Sequence, residues 1–170
     1  TEVDTGSLLD PLDAAAKYAG TYGVSVDWDT ATAAYLTYDF VADHGSYSMG
    51  FWYKTTTGIG NWAGENNFIR IQDSGANNII RCSEGKDAGD NKRQMRIQGT
   101  GFGSDIEIAD STWYWITIDI VRNGTSTLSV YDVAEALVGS STATATDYDS
   151  ATIKIGNESG TVTGTGSIYF

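Results

Sequence analysis

Trp113-Tyr114-Trp115-Ile116-Thr117-Ile118-Asp119-Ile120-Val121-Arg122-Asn123-Gly124 is the stretch whose reading decides the fold. Tyr114, Ile116, Ile118 and Ile120 hold one phase of a period-two alternation, and Trp115, Thr117, Asp119 and Val121 hold the other. Successive side chains of a strand point to opposite faces, so this pattern predicts a strand with one face in the core. Asn123-Gly124 then supplies a strong hairpin signal, and Leu128-Ser129-Val130-Tyr131 carries the alternation back.

The same period recurs outward along the chain. It appears in Tyr22, Val24, Val26 and Trp28, in Leu36, Tyr38 and Phe40, and in Tyr47, Met49, Phe51 and Tyr53. It returns in Ile69 and Ile71, Met95 and Ile97, Ile153 and Ile155, and Ile168 and Phe170. Glycine-, asparagine- and aspartate-rich turns separate these runs. Only Leu8–Ala19 and Val133–Leu137 read as short helical turns. Roughly ten strands of this kind predict an all-β, antiparallel two-sheet sandwich. With no break in composition and no internal repeat, residues 1–170 read as a single domain.

Composition narrows the function. The net charge is −12, which argues against nucleic acid as a partner. No apolar run approaches the ~20 residues of a spanning helix, so membrane insertion is not expected. One cysteine, Cys82, excludes an internal disulfide, and one histidine, His44, excludes chemistry that needs two. Thr1–Asp10 lacks a signal-peptide pattern, and the chain ends within an apolar alternation. A mature protein and a piece of a larger parent chain both fit.

The order of motifs resembles a known group. Tyr47-Ser-Met-Gly-Phe-Trp-Tyr-Lys54, Phe68-Ile-Arg-Ile-Gln-Asp-Ser-Gly75 and Thr112-Trp-Tyr-Trp-Ile-Thr-Ile-Asp119 are similar to successive strands of laminin-G-like jelly rolls. Thr127-Leu-Ser-Val-Tyr-Asp132, Ile153-Lys-Ile-Gly-Asn157 and Gly166-Ser-Ile-Tyr-Phe170 resemble the strands that close them. Val3–Leu8 and Tyr18–Val24 match the segments that open them. The resemblance, to the concanavalin A-like lectin/glucanase superfamily, spans nearly the whole chain and implies a jelly roll. It also implies a structural calcium ion near the first and last strands. Asp4 matches the family's carboxylate there, with Gly6 and Gly20 as carbonyl donors. The group holds lectins, carbohydrate-binding modules, glucanases, lyases and protein-binding domains, so it implies a fold more than a function.

Catalytic chemistry is thinly represented. Retaining glucanases need two carboxylates ~5–5.5 Å apart on one face. The nearest pair, Asp105 and Glu107, reads as a solvated edge. Lyases of this fold resemble sets of arginine, glutamine, histidine and tyrosine, but His44 falls in a turn segment. Cys82 sits among isoleucines and reads as packing. An enzyme is therefore not expected.

Glycan binding has more to draw on. Aromatic faces stack on pyranose rings, and amide and guanidinium groups bond their hydroxyls and carboxylates. Trp52 and Trp115 lie in outward phases, and Trp62 stands in a polar loop. Arg70 and Arg96 lie outward with Gln72, Gln94 and Gln98. Residues 54–96 hold seven of the ten Lys and Arg residues and five of the twenty-two acids, which admits an anionic glycan. The expectation is a non-catalytic carbohydrate-binding module on an extracellular, cell-surface or virion protein, using Trp52, Trp62, Arg70, Gln72, Arg96 and Trp115. The competing reading is a structural decoration, fibre or surface-layer domain working through protein contacts or homo-oligomeric assembly.

Overall fold

The described residues form fourteen strands, every pairing antiparallel. In this computed structural model the described residues are 2–4, 9–13, 18, 23–28, 34–56, 66–87, 89–146, 149–157 and 166–170. Side chains are described for all of these except 2–4, 9–13, 28, 41–44, 66, 157 and 166. Two sheets of seven strands face each other as a jelly-roll sandwich. Sheet one runs β1 (Glu2–Asp4), β4 (Ala34–His44), β13 (Ser150–Asn157), β6 (Asn66–Gln72), β7 (Asn78–Lys86), β8 (Arg93–Gln98) and β9 (Ile106–Ile108). Sheet two runs β12 (Leu137–Thr144), β11 (Thr125–Tyr131), β10 (Tyr114–Val121), β5 (Ser46–Thr55), β14 (Gly166–Tyr169), β3 (Gly23–Trp28) and β2 (Leu9–Asp13).

The deciding stretch behaves as its period demands. Tyr114, Ile116, Ile118 and Ile120 are buried, and β10 pairs with β5 from Tyr114 opposite Tyr53 to Val121 opposite Ser46. Asn123 takes a left-handed backbone, φ 51°, at the tip of the β10–β11 hairpin. Across the core, Ile69, Ile71, Ile80, Cys82, Met95 and Ile97 of sheet one meet Ile116, Ile118, Leu128 and Val130 of sheet two. Each such side chain contributes roughly 1.5–3 kcal/mol on leaving water.

Two expectations fail locally. Leu9–Asp13 is an edge strand, not a helical turn, and its register shifts around Pro11. Proline has no N–H to give a ladder, and an edge with a bulge is where a sheet tolerates it. Val133–Leu137 is likewise not helical, because Asp132 caps a tight turn that leads directly into β12. No helix of the described residues is long and apolar enough to cross a membrane.

Candidate functional site

Register determines which outward side chains become neighbours. Lys154 of β13 pairs with Arg70 of β6, Arg70 with Arg81 of β7, and Arg81 with Gln98 of β8. Adjacent strands lie ~4.8 Å apart, so three cations and an amide form one row across the outer face of sheet one. The next row holds Asn67, Ser83 and Arg96, with Ser83 Oγ donating to Asn67 Oδ1 at 2.6 Å. The Arg96 guanidinium lies 4.1 Å from the centroid of Phe102 and 3.6 Å from Asp105. Lys154 Nζ is 5.2 Å from the Tyr35 ring. All four cations make contacts within the chain. Arg70 and Arg96 thus share a face as expected, and Arg81, counted in the basic stretch but not placed in the site, completes the set with Lys154.

Gln72 is drawn elsewhere. Its Nε2 donates to Ala76 O at 3.0 Å and to Asn78 Oδ1 at 3.2 Å, and the residue is buried. The turn it braces is built on Asp73, whose carboxylate accepts from Gly75 N, Asn77 N and Asn77 Nδ2. The Asn77 side-chain bond is the leading reason the Asp73 carboxyl sits below its ordinary pKa.

Trp52 and Trp115 stand on the other side of the molecule. They pair with each other across β5 and β10 on the outer face of sheet two, rings 5.5 Å apart and edge-on. The whole thickness of the sandwich therefore separates them from Arg70 and Arg96, and the six expected sugar-binding residues do not form one groove. The Tyr18 ring stacks on Trp52 at 3.6 Å between centroids, covering a face that a sugar would use. Lys54 Nζ, one row along, sits 4.8 Å from the Trp113 ring and 4.4 Å from that of Tyr169. Trp62 lies outside the described residues, as do Gly6, Gly20 and the side chain of Asp4.

The candidate catalytic groups have structural employment. Glu107 pairs with Lys92 at 2.7 Å and Asp105 with Arg96, at the β9 edge of sheet one. His44 ends β4 instead of lying in a turn, and its side chain is outside the description. Cys82 is fully buried, and burial pushes its thiol pKa up, as expected of a packing residue. Among the described residues, no group of three or more His, Cys, Asp or Glu is placed to hold a metal ion.

Between the sheets lies a buried polar cluster that the sequence reading missed. Glu84 points inward, in phase with Ile80 and Cys82, and is wholly buried. Thr55 Oγ1 of the facing sheet donates to Glu84 Oε1 at 2.9 Å, and Arg93 Nη1 is 3.8 Å from Oε2. Arg93 also donates through Nε to Asp110 and through Nη2 to Thr56 O at 2.9 Å. Burial, outweighing the attraction of Arg93, pushes the Glu84 carboxyl up to about 7. The neighbouring Tyr53 hydroxyl is raised well above its ordinary value, chiefly by burial and then by the Glu84 charge.

No family model matches the chain, and no curated protein matches it either. Solved structures do. An alginate lyase from Klebsiella pneumoniae superposes with a TM-score of 0.60 at 10% identity, over 89% of this chain and 81% of that one. The cellulose-induced protein Cip1 gives 0.60 at 15% identity, over 93% and 81%. A protein of unknown function from Shewanella oneidensis MR-1 gives 0.56 at 14% identity, over 99% and 74%. At such identities the likeness is one of fold, a jelly-roll β-sandwich. It shows no specific function. The expectation that the chain is no enzyme is overturned: a lyase is built on this same sandwich, so the fold is compatible with catalysis.

Proposed function

We propose that the protein binds an anionic polysaccharide across the outer face of sheet one. The observation that carries this reading is the row of Lys154, Arg70 and Arg81 in register on three adjacent strands. Cations in register on adjacent strands give that stretch of the face a field of one sign. A polymer bearing one carboxylate or sulfate per sugar would match that field. Planar guanidinium groups donate bidentately to such anions, and Gln98 and Gln94 supply amides for the hydroxyls between them. The acidic remainder of the chain would confine a polyanion to this face. That two proteins sharing the fold are named for alginate and for cellulose is in keeping with a polysaccharide ligand.

An extracellular or virion-surface setting and a structural calcium ion held by Asp4 belong to the same proposal. The test is calorimetric titration with a uronic-acid hexamer, a sulfated glycan and a neutral hexamer, with calcium and with EGTA. The anionic ligands bind, more weakly as salt rises, and Arg70→Ala lowers their affinity about tenfold or more. Binding of the neutral hexamer alone among the three, or an unchanged affinity in Arg70→Ala, would overturn the reading.

A further inference from the structure

The opposite outer face carries a row of different chemistry. Trp52 of β5, Trp115 of β10 and Tyr131 of β11 stand side by side in register. With Thr117 and Glu135 they line an open concavity of about 440 Å³. Small-molecule sites fall at roughly 300–1,000 Å³, so the space suits a sugar unit and its linkages.

Each part of this concavity has a local cause. Trp115 lies across Gly50, where a Cβ would come within 2.7 Å of its Cζ2, so the absent side chain makes room for the indole. Tyr18, stacked on Trp52 with 19° between the ring planes, closes that face into a wall. Trp115 and Tyr131 are left as aromatic surface. The rim is a turn in which Asp132 Oδ1 accepts from Ala134 N at 2.8 Å and from Ala136 N at 2.9 Å. That turn holds Glu135 at φ 64°, a left-handed conformation that favours glycine. Among the described residues that line it, Glu135 is the sole charged group. A carboxylate there accepts hydrogen bonds from hydroxyl or ammonium donors and repels another carboxylate.

We infer that this concavity is a second glycan site, for a hexopyranose unit that offers hydroxyl or ammonium donors and carries no carboxylate. The protein would then hold two chemically distinct polysaccharides on opposite faces. The inference rests on the aromatic face alone and stands whether or not the cationic row binds.

Titration of the whole chain with glucosamine hexamer, cellohexaose and a uronic-acid hexamer, followed by calorimetry and tryptophan fluorescence, tests it. Glucosamine hexamer and cellohexaose bind and perturb the fluorescence, and saturating uronic-acid hexamer does not displace cellohexaose. Trp115→Ala weakens both by up to about tenfold. Gly50→Ala, which keeps every aromatic ring but pushes the indole off its seat, weakens both as well. Glu135→Gln weakens glucosamine hexamer more than cellohexaose, and Arg70→Ala changes neither. Should Trp115→Ala fail to fold, Gly50→Ala and Glu135→Gln still decide, since both lie at the surface. The inference is overturned if neither sugar binds at millimolar concentration, if Gly50→Ala and Glu135→Gln both leave binding intact, or if Arg70→Ala abolishes it.

Discussion

The two outer faces of this sandwich are built by one device and used for opposite chemistries. On sheet one, antiparallel register aligns Lys154, Arg70 and Arg81; on sheet two it aligns Trp52, Trp115 and Tyr131. A strand contributes one outward residue per row, so a row is assembled from residues far apart in sequence. The difference between the faces teaches that phase and register answer separate questions. Phase says that a side chain points outward; register and sheet membership say beside what.

Four expected outcomes would break or sharpen this comparison, starting with the largest. Ile116→Ala removes a fully buried side chain that both faces rest upon. It should cost about 2–5 kcal/mol in chemical denaturation, and a loss much below that would mean the faces do not depend on a common core.

The next outcome concerns the join between the sheets. The Glu84 carboxyl titrates near 7 in the fold and near its ordinary 4.5 when unfolded, so folding favours the protonated form. The groups facing it are Tyr53 and Thr55 of β5 and Arg93 of β8, with Asp110 beyond. Its stabilisation is full below about pH 4.5 and is lost as the pH rises through about 7. Between pH 5 and pH 8 the native protein should lose on the order of 3 kcal/mol relative to Glu84→Gln. Parallel pH profiles of Tm for the two proteins would show that the carboxyl is ionised throughout by its pairing with Arg93.

Smaller effects separate the faces themselves. Arg81→Ala should weaken a uronic-acid hexamer by about tenfold, as Arg70→Ala does, because the row acts as one surface. If Arg81→Ala binds like the native protein while Arg70→Ala does not, the site is a single arginine. Smallest, Asp132→Ala removes the cap that positions Glu135 and should cost about 1 kcal/mol of stability. A sugar affinity on the aromatic face that is unmoved by this change would remove the turn from that site.

Much of this architecture is legible in the sequence. Alternation at Tyr47–Tyr53 and Tyr114–Ile120 gave two central strands of sheet two, including which residues face inward. Other strands are hidden for physical reasons. β7 is buried on both faces over Cys82–Gly85, so it shows no apolar and polar alternation. The inward positions of β12 are filled by Gly139, Ser141 and Ala143, which are too small to register as a hydrophobic face. Glu84 shared the phase of Ile80 and Cys82, a signal that it points inward, but an acid in a strand reads as solvent-facing until its partners are seen.

The candidate site was legible only in halves. Outward phase was right for Trp52, Trp115, Arg70 and Arg96, yet nothing in one strand's sequence says which sheet it joins. The crossovers that carry the chain between sheets put β5 and β10 on one side and β6 and β8 on the other. A single mixed groove became two faces. Arg81 follows the pair Ile79-Ile80 and Lys154 stands alone between Ile153 and Ile155, and pairing alone brings them beside Arg70.

The most direct measurement of the central claim is a nitrogen-15 NMR titration with a uronic-acid hexamer, reading arginine side-chain and tryptophan indole N–H signals together. The account predicts saturable shifts at Arg70, Arg81 and Arg96, with Trp52 and Trp115 unmoved. Shifts at the two indoles, or none at the three guanidinium groups, would contradict it.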